Sequence, residues 1–134
     1  MSVARILVVD DFVPWQHLVS RFLESETDLQ IISTAVDGTE AVQKAQELQP
    51  DLILMDLSLP GIDGIEATRQ IGIVSPGSKV LFLTHHSEPD IIQAAFDAGA
   101  SGYVFKSDFN ADLIPAIRAV LLGQKFDELS QDPD

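Results

Sequence analysis

The chain has 134 residues, of which 46% are hydrophobic, so we expect one compact folded domain rather than a disordered chain. Its 21 acidic and 8 basic residues give a formal net charge of −13, which argues against direct binding of this domain to nucleic acid or to anionic membranes. The lack of cysteine excludes disulfides and thiolate metal sites, and the lack of a membrane-length apolar run or signal peptide predicts a cytoplasmic protein.

The first predicted strand covers residues 5–9 and is apolar from Ile6 to Val9, as expected of a parallel strand that is buried on both faces. It ends at two carboxylates, Asp10 and Asp11. A helix is predicted over residues 14–24, because Pro14 suits a first helical turn. Its predicted apolar face consists of Leu18, Phe22 and Leu23. We expect Trp15 to pack on this helix, where it is also a candidate fluorescence reporter of metal binding.

The next two predicted strands are separated by one helix. They cover residues 29–35 and 52–55, and the helix between them covers residues 39–48 and ends before Pro50. The second of these strands is again wholly apolar and ends at Asp56. The chain therefore repeats the pattern of an apolar strand followed by a carboxylate.

The fourth predicted strand, residues 79–84, ends at Thr84. It is preceded by a predicted helix over about residues 65–73 and followed by one that Ser87 is expected to cap and that runs to about Ala98.

The fifth predicted strand covers residues 102–105 and ends at Lys106. The last predicted helix covers about residues 112–122, and Pro115 should make it begin late or bend. Residues 126–134 are predicted to be an acidic tail or the start of a linker, which leaves residues 1–125 as the folded domain.

This alternation of strands and helices predicts an α/β fold with a five-stranded, doubly wound parallel sheet. Because the carboxyl ends of parallel strands meet at one edge, the side chains that close the strands should lie together. They are Asp10, Asp11, Asp56, Thr84 and Lys106. Three carboxylates so close together need a raised pKa or a bound divalent cation, and one divalent cation with Lys106 balances their charge.

Four stretches of the chain match the pattern of a known family: ILVVDD at residues 6–11, DLILMDLSLPG at 51–61, LT at 83–84 and AGASGYVFK at 98–106. In these stretches the chain resembles the receiver domains of bacterial two-component response regulators. The last stretch, followed by Ser107, is similar to receivers that precede LuxR-type helix-turn-helix output domains. The resemblance implies a flavodoxin-like (βα)5 fold with strand order 2-1-3-4-5.

The resemblance also implies a phosphorylation site. Asp56 would accept a phosphoryl group from a sensor histidine kinase or phosphotransfer protein, and Lys106 would stabilise the transferred group. Asp11, Asp56 and the backbone carbonyl of Ser58 would hold Mg²⁺, or Mn²⁺ in its place, with Asp10 acting directly or through water. The protein would then be a signalling switch that catalyses only its own phosphorylation and dephosphorylation.

The same family resemblance implies a conformational response. The hydroxyl of Thr84 would assist the transfer and then move toward the phosphoryl group, and Tyr103 would turn into the space that this movement frees. Ser58 and His86 occupy positions that tune the lifetime of the phosphoryl group. Phosphorylation could also promote a homodimer, and the output would be control of transcription through a domain that this sequence does not contain.

Two departures from the family pattern bear on the site. His85 stands where a small residue is usual, so access for small phosphodonors should be reduced, and Ser107 replaces the usual proline after the lysine. An unphosphorylated pseudo-receiver therefore stays open as an alternative. A haloacid-dehalogenase-like phosphatase is disfavoured, because Phe12 follows the acidic pair, and a nucleotide- or flavin-binding module is disfavoured by the lack of a glycine-rich loop.

Overall fold

The computed structural model of the protein describes residues 2–127. They form a six-stranded parallel sheet with the order β2-β1-β3-β4-β5-β6. The strands are β1 (Ala4–Val9), β2 (Leu29–Ala35), β3 (Leu52–Met55), β4 (Lys79–Thr84), β5 (Gly102–Phe105) and β6 (Phe126–Asp127). The helices are α1 (Val13–Leu23), α2 (Gly38–Leu48), α3 (Gly64–Val74), α4 (Pro89–Asp97) and α5 (Phe109–Leu121). The predicted doubly wound α/β fold and its order 2-1-3-4-5 are confirmed.

Helices cover both faces of the sheet, and each face has its own apolar core. Helices α2, α3 and α4 pack on one face, whereas α1 and α5 pack on the other. Successive residues of β1 alternate between the two cores, with Leu7 and Val9 in one and Ile6 and Val8 in the other. A strand that is buried on both faces has to be apolar at every position, which is why the central strands were recognisable in the sequence.

The sixth strand was not predicted from the sequence. Phe126 and Asp127 pair in parallel with Gly102 and Tyr103 of β5, and Phe126 is only 9% exposed. Its ring joins the core between the sheet and α5, which makes this short pairing favourable. The domain boundary at residue 125 stays a prediction, and residues 128–134 of the predicted tail lie outside the described residues.

Two helix starts differ from the prediction. Helix α5 begins at Phe109, not near residue 112, and continues through Pro115, so the predicted late start is wrong. The ring of Phe109 packs edge-on against Trp15 and Phe22, and this packing stabilises the first turn. The predicted cap at Ser87 is also wrong, because α4 begins directly at Pro89.

Helix α1 turns part of its predicted apolar face to the core, because Leu23 is buried and Phe22 packs against the core. Its buried residues are Gln16, Val19 and Leu23, whereas Leu18 is 39% exposed. The exposed fractions of Phe12 and Val13 are also large, at 57% and 42%. The start of α1 therefore carries an apolar surface that the protein does not bury itself. Among the helices of residues 2–127, none is long and apolar enough to cross a membrane.

Candidate functional site

The three predicted carboxylates lie together at the carboxyl end of the sheet. Strands β1 and β3 are adjacent and pair Val9 with Met55, so the residues that follow, Asp10 and Asp56, emerge at the same level. The amide of Asp56 donates a 3.0 Å hydrogen bond to the carbonyl of Val9, which fixes this level. Asp10, Asp11 and Asp56 each place a carboxylate oxygen within 4.8 Å of the other two.

Lys106 reaches this cluster from the end of β5. Its Nζ lies 2.7 Å from Oδ2 of Asp10 and 3.2 Å from Oδ2 of Asp56. The lysine is only 4% exposed, and a buried ammonium requires partners of opposite charge. Three carboxylates and one ammonium leave a formal charge of −2, which is the charge that one divalent cation neutralises.

Asp10 is held in place by its surroundings rather than acting as a helix cap. Its Oδ1 accepts a 2.9 Å hydrogen bond from the amide of Phe12, while its backbone carbonyl accepts one of 2.7 Å from Gln16 Nε2. Burial raises the pKa of Asp10, and the hydrogen bond from Lys106 opposes that rise. The fold therefore keeps a carboxylate where desolvation disfavours its charge, and Lys106 offsets part of that cost.

Both carboxylate oxygens of Asp56 are hydrogen-bonded. Oδ1 accepts a 2.8 Å bond from the amide of Leu57, and Oδ2 faces Lys106. Helix α3 begins directly against this segment, because Gly64 donates to the carbonyl of Leu57 over 2.8 Å. A Cβ on Gly64 would collide with the backbone carbonyl of Asp56, so glycine is required for this close approach. The carboxylate of Asp56 is thus held by Leu57 and Lys106, and the start of α3 packs closely against its main chain.

Thr84 and Tyr103 are linked through the loop that follows β4. Thr84 is fully buried, and its Oγ1 lies 3.5 Å from the amide of His86. The hydroxyl of Tyr103 donates a 2.9 Å hydrogen bond to the carbonyl of His86, and its ring stacks on Phe82 at 5.7 Å. Tyr103 already points inward in this structure and is fully buried. The main chain of His86 therefore connects both residues of the predicted switch.

The two residues predicted to tune the phosphoryl lifetime contact each other. The side chains of Ser58 and His86 are hydrogen-bonded, with Oγ and Nε2 2.7 Å apart. Nδ1 of His86 lies 3.7 Å from Oε1 of Glu88. The His86 ring is therefore held between the loop that follows β3 and the start of α4.

Trp15 is a site residue whose contacts the sequence did not indicate. Its ring centroid lies 4.8 Å from Nζ of Lys106, and the ring forms T-shaped pairs with those of His85 and Phe109, with centroid distances of 6.0 and 5.3 Å. The only signal in the sequence was its position four residues after Asp11. His85 is exposed and contacts the ring of Trp15. The peptide bond between Lys106 and Ser107, where proline is usual in the family, is trans.

The chemistry of the cluster suits a hard divalent cation. Its donors are all carboxylate oxygens, one of them on the exposed Asp11 and two on buried residues. Mg²⁺ prefers such oxygens and keeps several waters, which an exposed ligand permits. The carbonyl of Ser58, the fourth predicted ligand, stays a prediction.

Comparisons with known proteins agree with this geometry. Residues 6–118 match the family described as the response regulator receiver domain. The transcriptional regulatory protein LiaR of Bacillus subtilis is 40% identical over 120 residues, which cover 90% of this chain and 57% of LiaR. The chain thus spans a little over half the length of this curated relative.

Two solved structures are similar over nearly the whole chain. A LuxR-family two-component response regulator from Aurantimonas sp. SI85-9A1 has a TM-score of 0.89 and 40% identity, covering 93% of this chain and 89% of that one. The receiver domain of RcsB from Salmonella enterica serovar Typhimurium, solved with the phosphomimetic BeF₃⁻, has a TM-score of 0.88 and 26% identity, covering 96% of each chain.

Proposed function

Because the chain belongs to the family of response regulator receiver domains, we propose that it is a phosphorylation-dependent switch whose acceptor is Asp56. The observation that carries the proposal is the position of the Asp56 carboxylate, which is 3.2 Å from Lys106 and within 4.8 Å of the carboxylate oxygens of Asp10 and Asp11. The ammonium, together with a cation held by the neighbouring carboxylates, would stabilise the negative charge that a phosphoryl group brings to Asp56.

In the proposed reaction, an oxygen of Asp56 attacks the phosphorus of a phosphohistidine. The P–N bond breaks, its electron pair remains on the imidazole nitrogen, which takes up a proton, and a new O–P bond makes an acyl phosphate on Asp56. Lys106 stays beside the transferred group and stabilises the negative charge on its oxygens. The hydroxyl of Thr84 would add a hydrogen bond to that group.

We assign the metal site to Asp10, Asp11 and Asp56, with the carbonyl of Ser58 as a further ligand. Mg²⁺, or Mn²⁺ in its place, would neutralise the charge of the carboxylates and of the phosphoryl oxygens when bound. The residual charge of −2 on the cluster supports this assignment, since without a cation the carboxylates repel one another and the incoming phosphate.

The response to phosphorylation would pass through the loop after β4. A phosphoryl group brings the charge at Asp56 close to −2 and adds acceptor oxygens. Movement of Thr84 toward them shifts the main chain of His86, and the hydrogen bond from Tyr103 to that main chain carries the shift to β5. The surface of α4, β5 and α5 would then exist in two arrangements that a partner can distinguish.

The proposed partners follow from the family and from the surface beside the site. Response regulators are phosphorylated by histidine kinases, and the exposed apolar side chains of Phe12, Val13 and Leu18 at α1 offer a contact surface for such a donor. Because the chain spans 57% of LiaR, we propose that the full protein carries an output domain that controls transcription. Dimerisation on phosphorylation is part of the proposal, and RcsB has been solved as dimers bound to DNA.

The test is the intact-protein mass after incubation with acetyl phosphate and Mg²⁺. We expect one phosphoryl adduct, which is lost with EDTA and in Asp56→Asn. Asp90→Asn, which makes the same change at an exposed position on α4, should react like the wild type. If a folded wild type forms no adduct, His85→Ala should be tested, because opening the site would restore the reaction of a receiver. If that variant also fails with both acetyl phosphate and a phosphorylated kinase, the protein is a pseudo-receiver.

A further inference from the structure

Trp15 joins three elements of the site that are distant in sequence. It lies in the first turn of α1, and its ring contacts Lys106 after β5, Phe109 at the start of α5 and His85 after β4. Trp15 is partly buried and packs against the core beneath α1 and α5. The indole ring also contacts groups at the carboxyl end of the sheet.

The contact with Lys106 has a specific geometry. The ammonium lies over the face of the indole ring, 4.8 Å from its centroid, while the same nitrogen contacts Asp10 and Asp56. A cation over an aromatic face is attracted by the negative potential of that face. The indole ring therefore covers one side of the ammonium group, and the carboxylates of Asp10 and Asp56 contact it from elsewhere.

The segment that carries the lysine lacks the proline usual at this position. Lys106–Asp108 forms a single 3₁₀ turn with Ser107 in second place, and this turn leads straight into α5 at Phe109. Proline would restrict the backbone directly, whereas serine does not. Here the turn is anchored at both ends, because Trp15 contacts Lys106, its first residue, and Phe109, which follows it.

We propose that Trp15 is the positioning residue for Lys106. Its ring face holds the ammonium against Asp10 and Asp56, and its contact with Phe109 anchors the turn that a proline would otherwise restrict. The inference rests on the proposed function, since positioning matters to phosphoryl transfer only if Asp56 is the acceptor. It predicts that an aromatic face is needed at residue 15, whereas simple packing would accept any large apolar side chain.

The kinetic test compares Trp15→Phe with Trp15→Leu. The rate of phosphorylation by acetyl phosphate at saturating Mg²⁺ should fall about threefold to thirtyfold in Trp15→Leu, the range that corresponds to a cation–π contact. Trp15→Phe keeps an aromatic face and should stay within about twofold of the wild type. Phe22→Leu is the matched control, because Phe22 packs on the same Phe109 ring without contacting Lys106, and its rate should be unchanged.

A double-mutant cycle separates positioning from general damage to the fold. In the Lys106→Met background, Trp15→Leu should cause no further loss of rate, since the group that it positions is gone. A loss of equal size in both backgrounds would overturn the inference. So would a wild-type rate in Trp15→Leu, or equal losses in the Phe and Leu variants. Urea unfolding of each variant confirms that it is folded.

A second measurement needs no phosphoryl transfer. Trp15 is the only tryptophan of the chain, so all tryptophan emission comes from the ring that contacts Lys106. The emission should change in Lys106→Met and stay the same in Lys125→Met, whose ammonium lies over Phe96 instead. An unchanged spectrum in Lys106→Met would overturn the inference. If this contact is present but the wild type forms no adduct with any donor, the proposed function fails and the positioning role fails with it.

Discussion

Ser58 and His86 are separated by 28 residues in the sequence, yet their side chains are hydrogen-bonded, with Oγ and Nε2 2.7 Å apart. Ser58 lies two residues after Asp56 and His86 two residues after Thr84, so the bond joins the loop that follows β3 to the loop that follows β4. Glu88 flanks the imidazole on its other side, 3.7 Å from Nδ1. With Asp56 as the proposed acceptor, we expect this bridge to restrict the approach of water to its phosphoryl group.

Breaking the bridge should shorten the lifetime of the phosphorylated protein. Such a hydrogen bond contributes about 0.5 to 1.5 kcal/mol, so we expect His86→Ala and Ser58→Ala each to shorten the half-life about twofold to tenfold. The half-life is read from the decay of the phosphoryl adduct in intact-protein mass spectra. The double variant should lose no more than the larger single effect, because both changes remove the same bond. Unchanged half-lives would contradict this role.

Magnesium should stabilise the folded protein through Asp11. A ligand that binds only the folded state adds about 2.7 kcal/mol to the free energy of unfolding at 100 times its Kd. We expect the thermal midpoint to rise with Mg²⁺ in the wild type and to rise much less in Asp11→Asn. In EDTA the variant should be the more stable of the two, because it removes one of three carboxylates that lie within 4.8 Å.

Asp90→Asn is the control for the magnesium effect, because it removes a carboxylate far from the cluster. Circular dichroism during heating gives the midpoints. A wild-type thermal midpoint that does not change when Mg²⁺ is added would argue against the metal site.

Tyr103 should resist ionisation in the folded protein. Burial, together with the negative charges of Glu88 and Asp56, raises the pKa of Tyr103 above its ordinary value of about 10. A group whose pKa is higher in the folded state stabilises the fold fully below the unfolded pKa. That contribution is lost as the pH rises toward the folded pKa, by about 1.4 kcal/mol for each pH unit.

Because the chain has one tyrosine, phenolate absorbance measures this group alone. The native protein should show little phenolate at pH values where the chain in urea is already ionised. A native titration that coincides with that of the unfolded chain would contradict the buried position of the hydroxyl.

Phe126 should behave as a core residue although it lies in the segment predicted as a tail. It is 9% exposed and packs against the core between the sheet and α5, so Phe126→Ala should lower the free energy of unfolding by about 3 kcal/mol. Leu122→Ala is the control, because Leu122 is 77% exposed, and its cost should be about 0.5 kcal/mol or less. Urea unfolding measures both. Equal stabilities of the two variants would mean that β6 contributes little to the fold.

The sequence by itself determined the sheet and the carboxylate cluster. Strands β2, β3, β4 and β5 have the predicted bounds. For β3 the reason is that a strand buried on both faces has to be apolar at every position, and that pattern is local. Asp10, Asp11 and Asp56 could be placed together because parallel strands bring their carboxyl ends to one edge, whatever the intervening residues are.

Only the tertiary structure decided which neighbours these residues have. The ring of Trp15 over Lys106 and the bond between Ser58 and His86 join side chains from different loops, and no local pattern records such pairs. The same holds for β6 and for the start of α5 at Phe109, where packing outweighed the signals of composition and of Pro115. The physical reason is that propensity acts along the chain, whereas packing depends on residues that become neighbours only when the chain has folded.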